Sequence, residues 1–196
     1  NLGIENQILS QVKFVNYNAS NTPKYKSEDT SHEVSGALGF LSKIPLYKND
    51  LIKEINHLFT PKVLIRYAPG HMRRVDGSRL KYTNLYEIKK TDEIDVLEKG
   101  LSASIGFDYK KNQLNKDGTI GNKIFSFSAG QVITAEEDQD LPASSSLGDK
   151  VSDLVGESSL RINNNLSLDY KFAVDQNYNR LNYNEVGSTL TLGKTN

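Results

Sequence analysis

The chain has 196 residues, enough for one domain with a sizeable core, yet only 37% are hydrophobic and the mean hydropathy is -0.53, values that suit a compact soluble core poorly. Lys+Arg and Asp+Glu balance at 24 each, which removes the electrostatic case for nucleic acid. There is no cysteine for a disulfide framework or thiolate metal site, and no apolar run reaches the roughly 18 residues of a spanning helix.

Taken in chain order, the sequence is mostly alternation with a period of two, which gives a strand one apolar and one polar face. "QVKFVNYNAS" is strand-like with ambiguous facing. "HEVSGALGFLSKIPL" sets Val34, Gly36, Leu38 and Phe40 on one side. "KNDLIKEINHLF", around 48 to 59, fits a short helix or a loop equally well. "PKVLIRYAP" places Val63, Ile65 and Tyr67 opposite Lys62 and Arg66, with Leu64 as a flaw. "SRLKYTNLYEI" also reads as a strand of ambiguous facing.

The cleanest stretch is "GLSASIGFDYKK": Leu101, Ala103, Ile105, Phe107 and Tyr109 on one parity, Ser102, Ser104, Gly106, Asp108 and Lys110 on the other. In "KIFSFSAGQVIT", Phe125, Phe127, Ala129 and Ile133 share a parity that Ile124 and Val132 blur. "NLSLDYKFAVDQN" opposes Leu166, Leu168, Tyr170, Phe172 and Val174 to Ser167, Asp169, Lys171 and Asp175. "NEVGSTLTLGK" sets Val186, Ser188, Leu190 and Leu192 against Glu185, Thr189 and Thr191.

Turn chemistry separates these runs. "VDGS" and "KDGT" carry Asp-Gly pairs, "INNNL" and "DQNYNR" join strands with little else, and 135–150 is a longer polar loop. We expect eight to ten antiparallel strands, with Tyr17, Tyr47, Tyr67, Tyr109, Tyr170 and Tyr183 near strand ends. That placement suits a membrane barrel or simply the strand preference of tyrosine.

Candidate chemistry is sparse. "QLNKDGTIGNKI" mimics a calcium loop at Asn115, Asp117 and Gly118, but Gln113 and Ile124 replace the first and last carboxylates, so it reads as a hairpin turn. "EEDQD" (136–140) offers oxygen ligands, or more simply a solvated loop. His32, His57 and His71 share no metal-ligand spacing; His71, beside Arg73 and Arg74, marks a loop where an anionic headgroup would fit. Ser144, Ser145 and Ser146 lack a nucleophile elbow. Neither a cofactor nor an enzymatic site is expected.

Two long stretches resemble a known family. "LFTPKVLIRYAPGHMRRVDGSRLKYTNLYEI" followed by "DVLEKGLSASIGFDYKK", then Gly130-Gln131, Pro142, Ser146-Leu147, Ser152-Asp153, Val155-Gly156, Asp175 and Asn184-Glu185-Val186, are similar to the barrel of the LPS-assembly outer-membrane proteins (LptD, also OstA or Imp). The resemblance runs from about residue 58 onward. Tyr86 stands where a Phe is usual and Ala173 where an Arg is common.

The resemblance implies an all-β, antiparallel, up-and-down transmembrane barrel, here as a partial barrel. Residues 1–196 would be a fragment of the C-terminal barrel domain without the periplasmic jelly roll. It implies the outer membrane of a Gram-negative bacterium and a non-catalytic part in lipopolysaccharide assembly. The implied partners are lipopolysaccharide, a plug lipoprotein, membrane lipid, and a periplasmic bridge protein acting through the missing domain. Leu101, Ile105, Phe107, Leu166, Leu168 and Phe172 would face lipid, and Ser102, Ser104, Asp108, Asp169 and Lys171 the lumen. Parity by itself separates two faces without saying which is inside. Gly130, Gln131, Ser152, Asp153, Gly156, Asn184 and Glu185 carry the family motif. Two alternatives fit the alternation alone: a generic porin-type barrel, and a soluble β-sandwich carbohydrate-binding module, which must pack two apolar faces together.

Overall fold

A computed structural model describes residues 3–18, 20–21, 31–70, 73–75 and 77–192. Its strands are β1 (Glu5–Tyr17), β2 (Ser31–Lys43), β3 (Leu46–Asp50), β4 (Ile55–Ala68), β5 (Gly100–Leu114), β6 (Ile120–Thr134), β7 (Leu154–Arg161), β8 (Leu166–Val174) and β9 (Leu181–Leu190). All nine form one antiparallel sheet in the order β1-β2-β4-β5-β6-β7-β8-β9, with β3 against β4. Each strand follows its sequence neighbour, so the topology is up-and-down. The sheet does not close on itself: among the described residues β1 pairs only with β2, and β9 only with β8. Every described strand lies in this sheet, and no second sheet covers its apolar face as a sandwich requires.

β3 continues β2 along the same edge of β4, after a break at Ile44 and Pro45. The break sits opposite Pro61, whose carbonyl accepts a hydrogen bond from the Ile44 N–H at 3.1 Å. Both backbone groups of a strand residue point to the same neighbour. The missing N–H of Pro61 therefore faces the interruption, where an intact ladder is not required. Residues 48–59 thus form the end of β3, a tight turn at 51–54 and the start of β4. The helix alternative is excluded here because Lys48 to Asp50 and Ile55 to His57 pair with each other in register.

The connections are unequal. At one end lie the short links 51–54, 115–119 and 162–165; the chain leaves the other end after Tyr17, Ala68, Thr134 and Val174, mostly by longer connections. The calcium-like sequence is the 115–119 hairpin, closed by Asn115 N–H to the Thr119 carbonyl at 2.9 Å.

One expected strand is absent. "SRLKYTNLYEI" holds only a short 3-10 turn at Tyr82–Asn84. Leu80, Tyr82, Leu85 and Ile88 are buried nonetheless, because this segment lies flat on one face of the sheet instead of adding an edge to it. Tyrosine placement also differs from the expectation: Tyr17, Tyr47, Tyr67 and Tyr183 are near strand ends, but Tyr109 and Tyr170 lie inside β5 and β8.

Candidate functional site

The two faces of the sheet are chemically opposite. On the first, register brings apolar side chains side by side from strand to strand. Phe40 pairs with Ile65, Ile65 with Ala103, and Ala103 with Ile133; Leu38 pairs with Tyr67, and Tyr67 with Leu101. Ile8, Phe14, Val34, Leu168, Val186 and Leu190 extend the face to the outer strands and are exposed. Phe59, Phe107, Phe127 and Phe172 form a chain of contacting rings across it, with centroids 5.3, 5.9 and 6.1 Å apart. Nothing among the described residues covers this face.

The second face is polar and largely covered. Residues 77–99 lie across the face from β1 and β2 to β6 and reach β7 and β8, and the 135–153 segment lies beside them. Leu80, Tyr82, Leu85 and Leu147 pack on Val132, Val155 and Ala173, while Ile88 and Leu97 pack on Ala37 and Ala68. Leu64 and Val132, which break the alternation in sequence, are 0% and 1% exposed on this face. They are its apolar anchors. Ile124 marks a different irregularity, a register shift in which Lys111 pairs with Phe125 and Asn112 with Lys123.

Buried charge ties the 69–99 segment down. Arg66, 2% exposed on β4, donates to the Ile88 carbonyl at 2.5 Å and to the carbonyl of Glu98, and meets the Glu98 carboxylate at 3.4 Å. The other carboxylate oxygen accepts from the N–H groups of Lys90 and Thr91 at 3.0 and 2.7 Å. A buried pair of this kind is tolerable only because the remaining lone pairs find donors. Farther along the same strands, Asp108 pairs with Lys62 and accepts hydrogen bonds from the Tyr82 hydroxyl at 2.6 Å and the Ser128 hydroxyl at 2.7 Å. The Lys62 ammonium also sits over the Tyr86 ring, 4.9 Å from its centroid. Burial, followed by the hydrogen bond to Asp108 at Tyr82 and the field of Asp108 at Tyr86, pushes both hydroxyls well above their ordinary value, so both stay neutral.

The strands place the named residues as follows. Leu101, Ile105, Phe107, Leu166, Leu168 and Phe172 lie on the uncovered apolar face. Ser102, Ser104, Asp108, Asp169 and Lys171 lie on the opposite one; Ser104 and Asp108 are beneath the 69–99 segment, whereas Asp169 and Lys171 are on the stretch of β8 that it leaves open. The motif residues stitch the 135–153 segment into place. Gln131 donates to the Ser152 carbonyl at 2.7 Å, the Ser152 hydroxyl accepts from Val132 N–H at 2.9 Å, and Asn182 donates to Asp153 at 2.8 Å. Glu185 pairs with Lys171 at 2.9 Å and accepts from Tyr183. Asn184 lies across from Phe172.

Two glycines are needed for close approach. A Cβ on Gly130 would stand 2.4 Å from Leu85 Cδ2 and 2.8 Å from the Ile105 carbonyl oxygen. One on Gly156 would stand 2.4 Å from the Phe172 ring, which crosses β7 at that point to stack on Phe127.

Other candidates resolve into ordinary contacts. Asp138 and Asp140 of "EEDQD" face Lys99 at 3.4 and 3.8 Å, and no metal-competent cluster occurs among the described residues. Ser144 donates to the Ser78 carbonyl at 3.0 Å, joining the two covering segments. His32 pairs with Asn16 and His57 with Tyr109; His71 lies outside the described residues.

The Arg66–Glu98 and Lys62–Asp108–Tyr82 contacts were not legible beforehand, apart from Asp108. The signal for them was indirect: apolar residues on the wrong parity at Leu64 and Val132, and a turn-rich segment carrying Leu80, Tyr82, Leu85 and Ile88.

The family model LptD, "LPS transport system D", matches residues 9–194. The chain belongs to the LptD family. The match begins well before residue 58, so β1 to β3 belong to the family region as much as the later motifs do. LptD proteins are outer-membrane β-barrels of Gram-negative bacteria that act in lipopolysaccharide transport and assembly, and the open nine-stranded sheet fits part of such a barrel. A search of curated proteins finds no match.

Proposed function

We propose that this chain is a non-catalytic stretch of barrel wall in the LptD translocon, with Leu101, Ile105, Phe107, Leu166, Leu168 and Phe172 against lipid and Ser102, Ser104, Asp108, Asp169 and Lys171 toward the lumen. The reading rests on one observation: a continuous uncovered apolar face backs onto a polar face over which two segments of the same chain are folded. In hydrocarbon the uncovered face needs no partner, while the backbone must be paired strand to strand, which a closed barrel alone achieves. The two unpaired edges are where further strands of the protein continue the wall. The short links then lie on the periplasmic side and the long ones outside, as in other outer-membrane barrels.

In this reading residues 77–99 line the lumen wall from β1 and β2 across to β6. The open part of the inner face, on β7 to β9, carries Glu157, Asp169, Lys171 and Thr189 toward the saccharide or the plug lipoprotein. Lipopolysaccharide would arrive from the periplasmic bridge protein through a jelly-roll domain elsewhere in the protein.

Single cysteines at Leu101, Leu168, Ser102 and Asp169 in the full-length protein test this in outer-membrane vesicles. Leu101 and Leu168 should react only with a lipid-borne thiol reagent, and Asp169 only with a water-soluble one; Ser102 should never react from lipid. Shielding of Leu101 and Leu168 from both reagents would mean that another protein layer covers them, and the wall assignment would fall.

A further inference from the structure

The uncovered apolar face ends, toward the short links, in a row of different chemistry. Lys48, His57 and Lys111 are register partners on three adjacent strands, so they stand side by side on that face, about 4.8 Å apart from strand to strand. Lys48 and Lys111 stand on either side of His57, two strands or about 10 Å apart, and like charges on one face repel. Even so, among the described residues neither lysine takes part in an ion pair. The nearest carboxylate on the face, Asp50, accepts from the Lys53 N–H at 3.0 Å and faces the Lys53 ammonium at 3.8 Å. His57 Nδ1 is held 2.8 Å from the Tyr109 hydroxyl, and its other ring nitrogen has no partner among the described residues.

The position of the row matters as much as its charge. The next row toward the middle of the sheet is Leu46, Phe59, Tyr109 and Phe127, an apolar and aromatic belt. From His57 to Tyr67 along β4, a rise of about 3.4 Å per residue gives about 34 Å of strand, or about 26 Å of height at a tilt of about 40°. That matches the roughly 25 Å apolar band of an outer-membrane barrel. The cationic row therefore falls where hydrocarbon ends and headgroups begin.

We propose that Lys48, His57 and Lys111 form a binding site for the phosphate of an anionic membrane lipid in the leaflet on the short-link side, with the acyl chains lying along Phe59 and Phe127. The inference rests on the lipid-facing assignment above. The lysine stems run over apolar surface while the ammonium groups reach the headgroup layer, and the bound phosphate places one negative charge between two cations that have no ion-pair partner among the described residues.

The test uses the full-length protein in phosphatidylcholine nanodiscs, with a fluorescent non-natural side chain in place of Phe59. Its quenching by nitroxide-labelled phosphatidylglycerol is compared with that by nitroxide-labelled phosphatidylcholine. The anionic lipid should associate at least about fivefold more tightly, from about 1 kcal/mol per basic residue at the surface. The preference should vanish in Lys48→Gln/Lys111→Gln, return in Lys48→Arg/Lys111→Arg, and withstand inorganic phosphate. Equal quenching by both lipids would overturn the site while leaving the wall reading intact. No quenching by either would overturn the wall reading itself. Competition by inorganic phosphate would show an ion site rather than a lipid site, and the proposal would fail.

Discussion

At the scale of single residues, the covered polar face is decided by clearance. Leu85 reaches β6 only because Gly130 has no side chain, and Ile88 approaches Gly39, where a Cβ would stand 2.8 Å from its Cδ1. The Gly130→Ala methyl would meet both Leu85, which can move, and the Ile105 carbonyl oxygen, which belongs to the sheet. We expect Gly130→Ala to destabilise the docked segment by about 1–3 kcal/mol, the usual cost of overpacking. Gly77→Ala, with nothing within 4 Å, serves as its control. Hydrogen exchange of the 77–99 amides in the full-length protein would show the difference as faster exchange in the first variant alone.

At the scale of elements, the 69–99 segment is held by charge as well as packing. Removing one member of a buried pair typically costs about 3–5 kcal/mol, because the other is left uncompensated. Glu98→Ala should therefore release the segment, stranding Arg66 and the Lys90 and Thr91 amides together. The double variant Arg66→Met/Glu98→Ala should recover part of that loss. Mobility of a spin label at the exposed Thr83 reports both.

The same contacts make docking depend on pH. Burial, then repulsion from Arg66, pushes the Lys90 ammonium down to about 7 from its ordinary 10.5, against the opposing pull of Glu98 and Glu87. Between those values the released segment binds more protons than the docked one. Docking therefore strengthens as pH rises through this window, by up to about tenfold per pH unit, and weakens as pH falls toward 7. The Thr83 label should lose mobility from pH 7 to pH 9, and Lys90→Met should abolish the change.

At the scale of the whole molecule, the proposed wall gives the apolar and the polar face of the sheet different environments. On that reading a charge on the uncovered apolar face should cost much and a charge on the open part of the polar face little. Ile105→Arg is expected to lower the stability of the full-length protein in bilayers by about 2–4 kcal/mol, the cost of an arginine near the midplane. Thr189→Arg, on the exposed inner side of β9, should change it by well under 1 kcal/mol. Equal losses from urea titration of the two variants would contradict a lipid-facing β5.

Alternation was readable from the chain because a period of two depends only on which residues follow one another. Leu101, Ile105 and Phe107 had to share a face whatever that face met, and the Asp117-Gly118 turn joined its strands whatever lay beside them. Antiparallel order and a count of eight to ten followed from the same local chemistry, although β3 and β7 carried no readable alternation and "SRLKYTNLYEI" is not a strand, and the motif blocks supplied the family. What covers a face depends instead on residues far apart in sequence. Leu64 looked like an error in a strand until Ile88 and Gly39 came to lie beside it. "SRLKYTNLYEI" looked like a strand because its apolar residues are the right kind, yet they are buried by lying flat on Val132, Val155 and Ala173 rather than by pairing with a strand edge. The pairing of Arg66 with Glu98, across 32 residues, leaves no local trace, since each alone is an ordinary surface charge. Only the folded chain, by closing off water around them, makes them a pair.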